Sequence, residues 1–198
     1  MLDSTRPIGK TLNTSNGRPE TSAGVLPQWH VLRATYAREL KVQDQLREHG
    51  IRTFIPMTWH KSDPATGKQQ KTLVPAITGL VFAQATREAL DAYIRSFGDA
   101  RPVNYYWDRT ANRPLTIPDK AMEDFIAVAS TMDEDLIYIT EISAKLREGQ
   151  TVKVKEGPFK GVEGKIVRIR KSRRILVELP GMMAVASTYV APEFLEIF

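Results

Sequence analysis

The residue pattern predicts an α+β protein, in which a compact sandwich of roughly one hundred residues precedes a small, curled antiparallel β-barrel. Two observations carry that prediction. Up to about residue 130, segments with a helical apolar period are interleaved with short strand-like runs in the order βαββαβα. From Gly149 onward the period changes to two, the spacing of a strand with one apolar face.

The elements follow in order. Residues 1–26 are rich in Thr, Ser, Asn, Gly and Pro, with too few apolar side chains to offset the entropy of ordering, and are expected to be a disordered tail. Regular structure begins with a strand at Trp29-His30-Val31-Leu32-Arg33-Ala34. A helix from Arg38 to His49 follows, with Val42 and Leu46 one turn apart and Gly50 placed to end it. Ile51 to Trp59 reads as a strand interrupted by Pro56, Asp63 to Gly67 as a turn, and Leu73 to Ala83 as the next strand. Leu90, Tyr93, Ile94 and Phe97 mark a second helix, with Thr86 as N-cap, Glu88 near the positive end of the dipole and Gly98 beyond its end. Val103 to Trp107 form a short aromatic strand. A third helix starts near Pro118 and carries Met122, Phe125, Ile126 and Ala129 on one face.

In the last fifty or so residues five strands are expected, and a closed barrel leaves no bare edges. Val152 and Val154 alternate with Lys153 and Lys155, Val167 and Ile169 with Arg168 and Arg170, and Ile175 to Leu179 continue the pattern. Met183 to Tyr189 and Phe194 to Phe198 complete the set. The resulting domains are 27–130 and 148–198, joined by an acidic linker over 131–147.

Composition limits the function. The chain has 198 residues, 28 Lys and Arg against 23 Asp and Glu, and no Cys. Disulfide scaffolds, thiolate zinc sites and Cys nucleophiles are thereby excluded. The apolar runs are too short to span a bilayer and the first residues lack the apolar core of a secretory signal, so a cytoplasmic protein without a membrane partner is expected. Charge is uneven. Lys145 to Glu178 holds eleven Lys and Arg against four Glu, whereas Asp119 to Glu141 holds seven acids against one Lys. Such asymmetry suggests two modules, the second facing an anionic partner, although a solvated charged surface gives the same count.

Chemistry-bearing motifs are sparse. His30, His49 and His60 do not stand at metal-ligand spacing, no Gly-x-Ser-x-Gly elbow occurs, and the glycines at 157, 161 and 164 lie between strands, not before a helix. No cofactor and no enzymatic activity is expected.

The most specific stretch runs from Val152 through Gly157-Pro158-Phe159-Lys160-Gly161 to Gly164-Lys165-Ile166. Gly157-Pro158 reverses the chain, Phe159 anchors the loop, and the glycines permit backbone that side chains disfavour. The segment resembles the KOW motif that opens an SH3-like β-barrel. Behind an α+β domain opening on Trp29-His30-Val31-Leu32, it resembles the NusG family of transcription elongation factors over residues 28–198. Ile51 to Pro56 matches that family's second strand, and Thr78-Gly79-Leu80-Val81-Phe82 stands where Pro-Gly-Tyr-Val-Phe is usual. His30 in place of Tyr, Thr78 in place of Pro and Leu80 in place of an aromatic are departures. The polar tail and Ile117-Pro118-Asp119-Lys120-Ala121-Met122 resemble the specialised UpxY- and RfaH-type antiterminators of capsule polysaccharide loci.

The resemblance implies an NGN-type α/β sandwich with an antiparallel sheet, joined to a KOW barrel that alternation and β-branched content mark as simply β. It also implies an apolar depression that docks on the RNA polymerase β′ clamp. Carried over, that surface comprises Arg33, Ile77, Leu80, Phe82 and Tyr106, although alternation leaves open whether Ile77 and Phe82 pack into the core. Tyr36, Arg38 and Lys41 stand where such relatives meet non-template DNA, though a solvated helix start reads the same. The family's barrel recruits Rho or a ribosomal protein, implying Phe159 as contact unless it packs as a barrel lid. Arg168, Arg170, Lys171, Arg173 and Arg174 concentrate charge suited to nascent RNA. The expected function is suppression of pausing or termination at particular operons, against the alternative of an RNA- or ribosome-associated KOW protein.

Overall fold

The computed structural model describes residues 26–61, 71–143, 146 and 148–197. The expected disordered tail lies, but for Leu26, outside the described residues, as does the whole turn expected at Asp63–Gly67.

The first domain is built on β1 (Gln28–Ala34), which continues through a short loop to α1 (Glu39–Glu48). β2 (Arg52–Phe54), β3 (Met57–Lys61), β4 (Lys71–Pro75) and β5 (Leu80–Ala85) follow. Then come α2 (Arg87–Arg95), β6 (Val103–Tyr105), β7 (Trp107–Asp108), β8 (Arg113–Pro114), β9 (Thr116–Ile117) and α3 (Asp119–Ala129). The antiparallel sheet has the order β2-β5-β1-β6, with β9 paired to the start of β1. Thr86 caps α2 by accepting from the Ala89 amide at 3.3 Å.

Three expected strands prove to be divided, because strand partners change partway. Pro56 has no N–H to donate, so β2 leaves β5 there and the chain pairs instead as the separate β3–β4 hairpin. The run from Leu73 to Ala83 splits at residues 76–79, since β4 belongs to that hairpin and β5 to the main sheet. The aromatic strand breaks at Tyr106, whose N–H donates to Val31 O at 2.8 Å while its carbonyl accepts from Leu115 N at 2.8 Å.

Alternation along β1 and β5 gives the sheet two apolar faces. Leu32, Ala34, Val81 and Ala83 meet Val42 and Leu46 of α1 and Leu90 of α2. Trp29, Val31, Leu80 and Phe82 face the other way, with Met122, Phe125 and Val128 of α3. Phe125 sits centrally there, its ring 5.9 Å from Phe82 and 6.2 Å from Phe54. Burying side chains of this size contributes about 1.5–3 kcal/mol each.

The second domain contains β10 (Ile137–Ile139), β11 (Thr151–Val154), β12 (Glu163–Ile169), β13 (Ser172–Leu179), β14 (Met183–Tyr189) and β15 (Leu195–Ile197). Their order is β10-β14-β13-β12-β11-β15. The five expected barrel strands are present, but β10 comes from the stretch read as linker. Its Ile137-Tyr138-Ile139 carries enough apolar surface to add a strand to the open edge of β14. The Tyr138 hydroxyl then donates to Met57 O at 3.1 Å and ties the linker to the β3–β4 hairpin. No helix among the described residues is long and apolar enough to cross a membrane.

Candidate partner-binding surfaces

Arg33 stands opposite Leu80 in the β1–β5 register. The turn before β5 brings Ile77 beside them because Gly79 adopts φ +77 and its carbonyl accepts from Ala34 N at 2.7 Å. Tyr106, held between β6 and β7, completes the wall. These residues, with Thr78 and Gly79, line one side of a cleft of about 340 Å³. Tyr106 is 43% exposed, but Leu80 is only 3% exposed. Phe82 shares the face of Leu80, yet lies wholly in the core beneath α3 and is not a surface residue.

The other side of the cleft is Thr140, Met182 and Met183 from the linker and barrel. Sequence reasoning named none of them, since nothing local marks a barrel loop as the cover of a distant sheet. The docking is polar as well as apolar. Lys120 on α3 holds Asp124 at 2.6 Å and donates to Gly161 O at 3.2 Å, and Asp124 accepts from Glu163 N at 3.3 Å. Phe159 is buried in the apolar cluster that runs from Trp29 and Phe125 to Val152 and Val185. The expectation that it offers a free contact is therefore corrected for this arrangement of the domains.

A second surface lies at the start of α1. Tyr36, Arg38 and Lys41 are all exposed, Tyr36 at 86%, and the Arg38 guanidinium lies 5.6 Å from the Tyr36 ring centre. Tyr36 and Ala37 both adopt positive φ, +56 and +51, at a cost of about 1–3 kcal/mol each. Thr35, bonded twice to Pro102 O, braces the loop.

The third surface is the basic end of the barrel, where Arg168, Arg170, Lys171 and Arg173 are exposed. Arg174 is not among them. It is buried, and its guanidinium donates to Asp135 O at 2.6 Å and Ser187 O at 2.8 Å, which makes it a tie between linker and barrel.

Behind the sheet lies a titratable group unconnected with these surfaces. His30 is buried with its Nδ1 unpartnered among the described residues, 5.8 Å from the Tyr105 ring. Burial, aided by the Arg87 guanidinium, lowers the His30 pKa. The Tyr105 hydroxyl donates to Asp91 at 2.8 Å, and burial together with that carboxylate raises the Tyr105 pKa. Among the described residues no group of three or more His, Asp or Glu is placed to hold a metal ion.

The chain is thus a two-domain protein, an antiparallel α/β sandwich carrying a cleft followed by a small barrel with a Gly-Pro-Phe turn. The family profile described as transcription termination factor NusG matches residues 27–126, and that of the KOW motif matches residues 148–178. The chain belongs to the NusG family, whose members act in transcription elongation and termination, interact with RNA polymerase and are not enzymes. Among curated proteins none matches the chain. A solved structure described as domain interaction in Thermotoga maritima NusG is similar at 18% identity, covering 87% of this chain and 97% of that one with a TM-score of 0.43.

Proposed function

We propose that the chain binds elongating RNA polymerase at the β′ clamp through the cleft of Arg33, Ile77, Leu80 and Tyr106. Held there, it suppresses pausing or termination at particular operons, of which capsule polysaccharide loci are the kind its sequence resembles. The observation that carries the reading is the convergence of those four residues, drawn from three separate stretches of chain, on one cleft. An apolar floor with a cationic and an aromatic rim suits a helical protein partner. Because Met182 and Met183 form the opposite wall, polymerase engages the cleft only after the barrel moves away. Tyr36, Arg38 and Lys41 then meet exposed single-stranded DNA by stacking and phosphate contact.

Capture of core RNA polymerase by the purified protein at low and raised salt tests this. Wild-type capture survives salt, whereas Leu80→Glu and Tyr106→Ala lose it. Leu80 is buried, so the exposed Tyr106 keeps the test independent of folding. Capture that vanishes with salt regardless of either change sinks the proposal and moves the function onto the basic barrel.

A further inference from the structure

The β3–β4 hairpin stands apart from the main sheet, since among the described residues its two strands pair only with each other. Two strands alone are marginal in water, so the hairpin depends on what it touches outside itself. Its register sets Lys61 directly opposite Lys71, a like-charge rung that weakens the pairing. Trp59, two residues before Lys61, lies on the same face and is 38% exposed. Neither strand carries an acid. The face therefore presents two cations and an indole N–H with no counter-charge of its own.

The stretch after α3 supplies what the face lacks. The Trp59 indole donates to Met132 O at 2.8 Å. Two residues further on, Glu134 takes Lys71 on one carboxylate oxygen and stands 3.7 Å from Lys61 with the other. One carboxylate between the two lysines relieves the repulsion of their rung. The occupant nevertheless sits at a cost to itself. Met132 has φ +51, a conformation that residues other than Gly or Asn resist, and its apolar side chain is 43% exposed. Lys61, Lys71 and Glu134 are all exposed, and ion pairs in such surroundings contribute little. The segment is held from its other side, where Arg174 donates to Asp135 O at 2.6 Å and β10 pairs with β14.

We propose that the Trp59, Lys61 and Lys71 face of the hairpin is a docking site for an extended acidic segment of a partner protein, and that Met132 to Glu134 occupies it as an internal stand-in. The seated stretch defines the chemistry of the partner. It offers a backbone carbonyl to the indole N–H and, two residues later, a carboxylate that fits between the lysines. A partner segment supplies both groups without the positive φ that Met132 must adopt, so it displaces the internal occupant. The site lies outside the cleft of Arg33, Ile77, Leu80 and Tyr106, and its occupation does not require polymerase there.

The test is an NMR titration of the isotope-labelled full-length chain with the capped peptide Ser-Thr-Met-Asp-Glu-Asp-Leu-Ile, the sequence of residues 130–137. It is read at the indole N–H signal of Trp59, identified as the one missing from Trp59→Phe. That signal moves at millimolar peptide, the range in which a tethered segment competes. Glu134→Gln loosens the internal occupant, so the peptide then binds about two- to fivefold more tightly, the worth of one exposed ion pair. Lys71→Gln in that variant, or Gln in place of the peptide's Glu, weakens binding by a similar factor, and the two changes together cost little more than either alone. Each of these side chains is exposed, so the fold survives its replacement. The proposal is overturned by a Trp59 signal that does not move, by equal affinity of wild type and Glu134→Gln, by a Gln peptide that binds as the Glu peptide does, or by an unchanged Lys71→Gln. None of these results bears on capture of polymerase, so either reading can fail alone.

Discussion

Asp124 on α3 accepts a hydrogen bond from the backbone N–H of Glu163 in the barrel, at 3.3 Å. One carboxylate therefore joins the helix beneath the candidate polymerase cleft to the strand that follows the Gly-Pro-Phe turn. Lys120, one turn earlier, grips the turn before that strand at Gly161 O. Cleft and barrel face are each closed by the other, so what loosens this clamp uncovers both.

Replacing Asp124 with Ala strands the Glu163 amide and leaves Lys120 only Gly161 O and the Glu163 carboxylate at 3.7 Å, at a cost of about 1–3 kcal/mol to the docking of the domains. Amides of β13 and β14 that face α3 then exchange faster with deuterium, and more polymerase is captured at a given concentration. Unchanged exchange in both strands would show that the clamp does not hold the domains together.

Gly79 tolerates no side chain. A Cβ there would lie 2.6 Å from Ala34 O, and its φ of +77 is strained for any other residue. Gly79→Ala is expected to lower Tm by about 4–8 °C, corresponding to about 2 kcal/mol or slightly more in a chain of this size. Gly50 has a similar φ of +71 but nothing within 4 Å of a built Cβ, so Gly50→Ala should cost less. Equal losses in thermal melts of the two variants would refute the clash at Gly79.

His30 makes stability depend on pH. Its pKa is lowered in the fold from an ordinary 6.5, by burial first and then by Arg87, with Asp91 acting in the opposite sense. Below pH 6.5 the unfolded chain binds the proton more readily than the folded one, so stability present above that pH is lost as pH falls. Melts between pH 7.5 and 5 should show a steeper decline for wild type than for His30→Phe. Parallel curves would mean that His30 contributes nothing to the slope.

Much of this protein was legible in local pattern. The helical period of Leu90 and Tyr93 and of Met122 and Phe125, and the alternation from Val152 to Leu179, place the helices and barrel strands because burial of one face imposes a period on neighbours in sequence. The resemblance carried by the Gly-Pro-Phe turn and the Trp29 strand pointed to the cleft residues Arg33, Ile77, Leu80 and Tyr106. Alternation also put Leu80 and Phe82 on one face, but it could not say that α3 would cover Phe82 entirely. Arg174 reads in sequence like its basic neighbours, and only the approach of Asp135 O and Ser187 O turns it inward. Likewise β10 is too short to announce itself and exists because β14 offers it an edge. The sequence by itself determined the three helices and most of the strands, through forces between residues close along the chain. Tertiary structure alone decided which apolar faces are shared, because Met183 across the cleft from Leu80 and Asp124 on Glu163 are meetings of distant segments, and no local period records who covers whom.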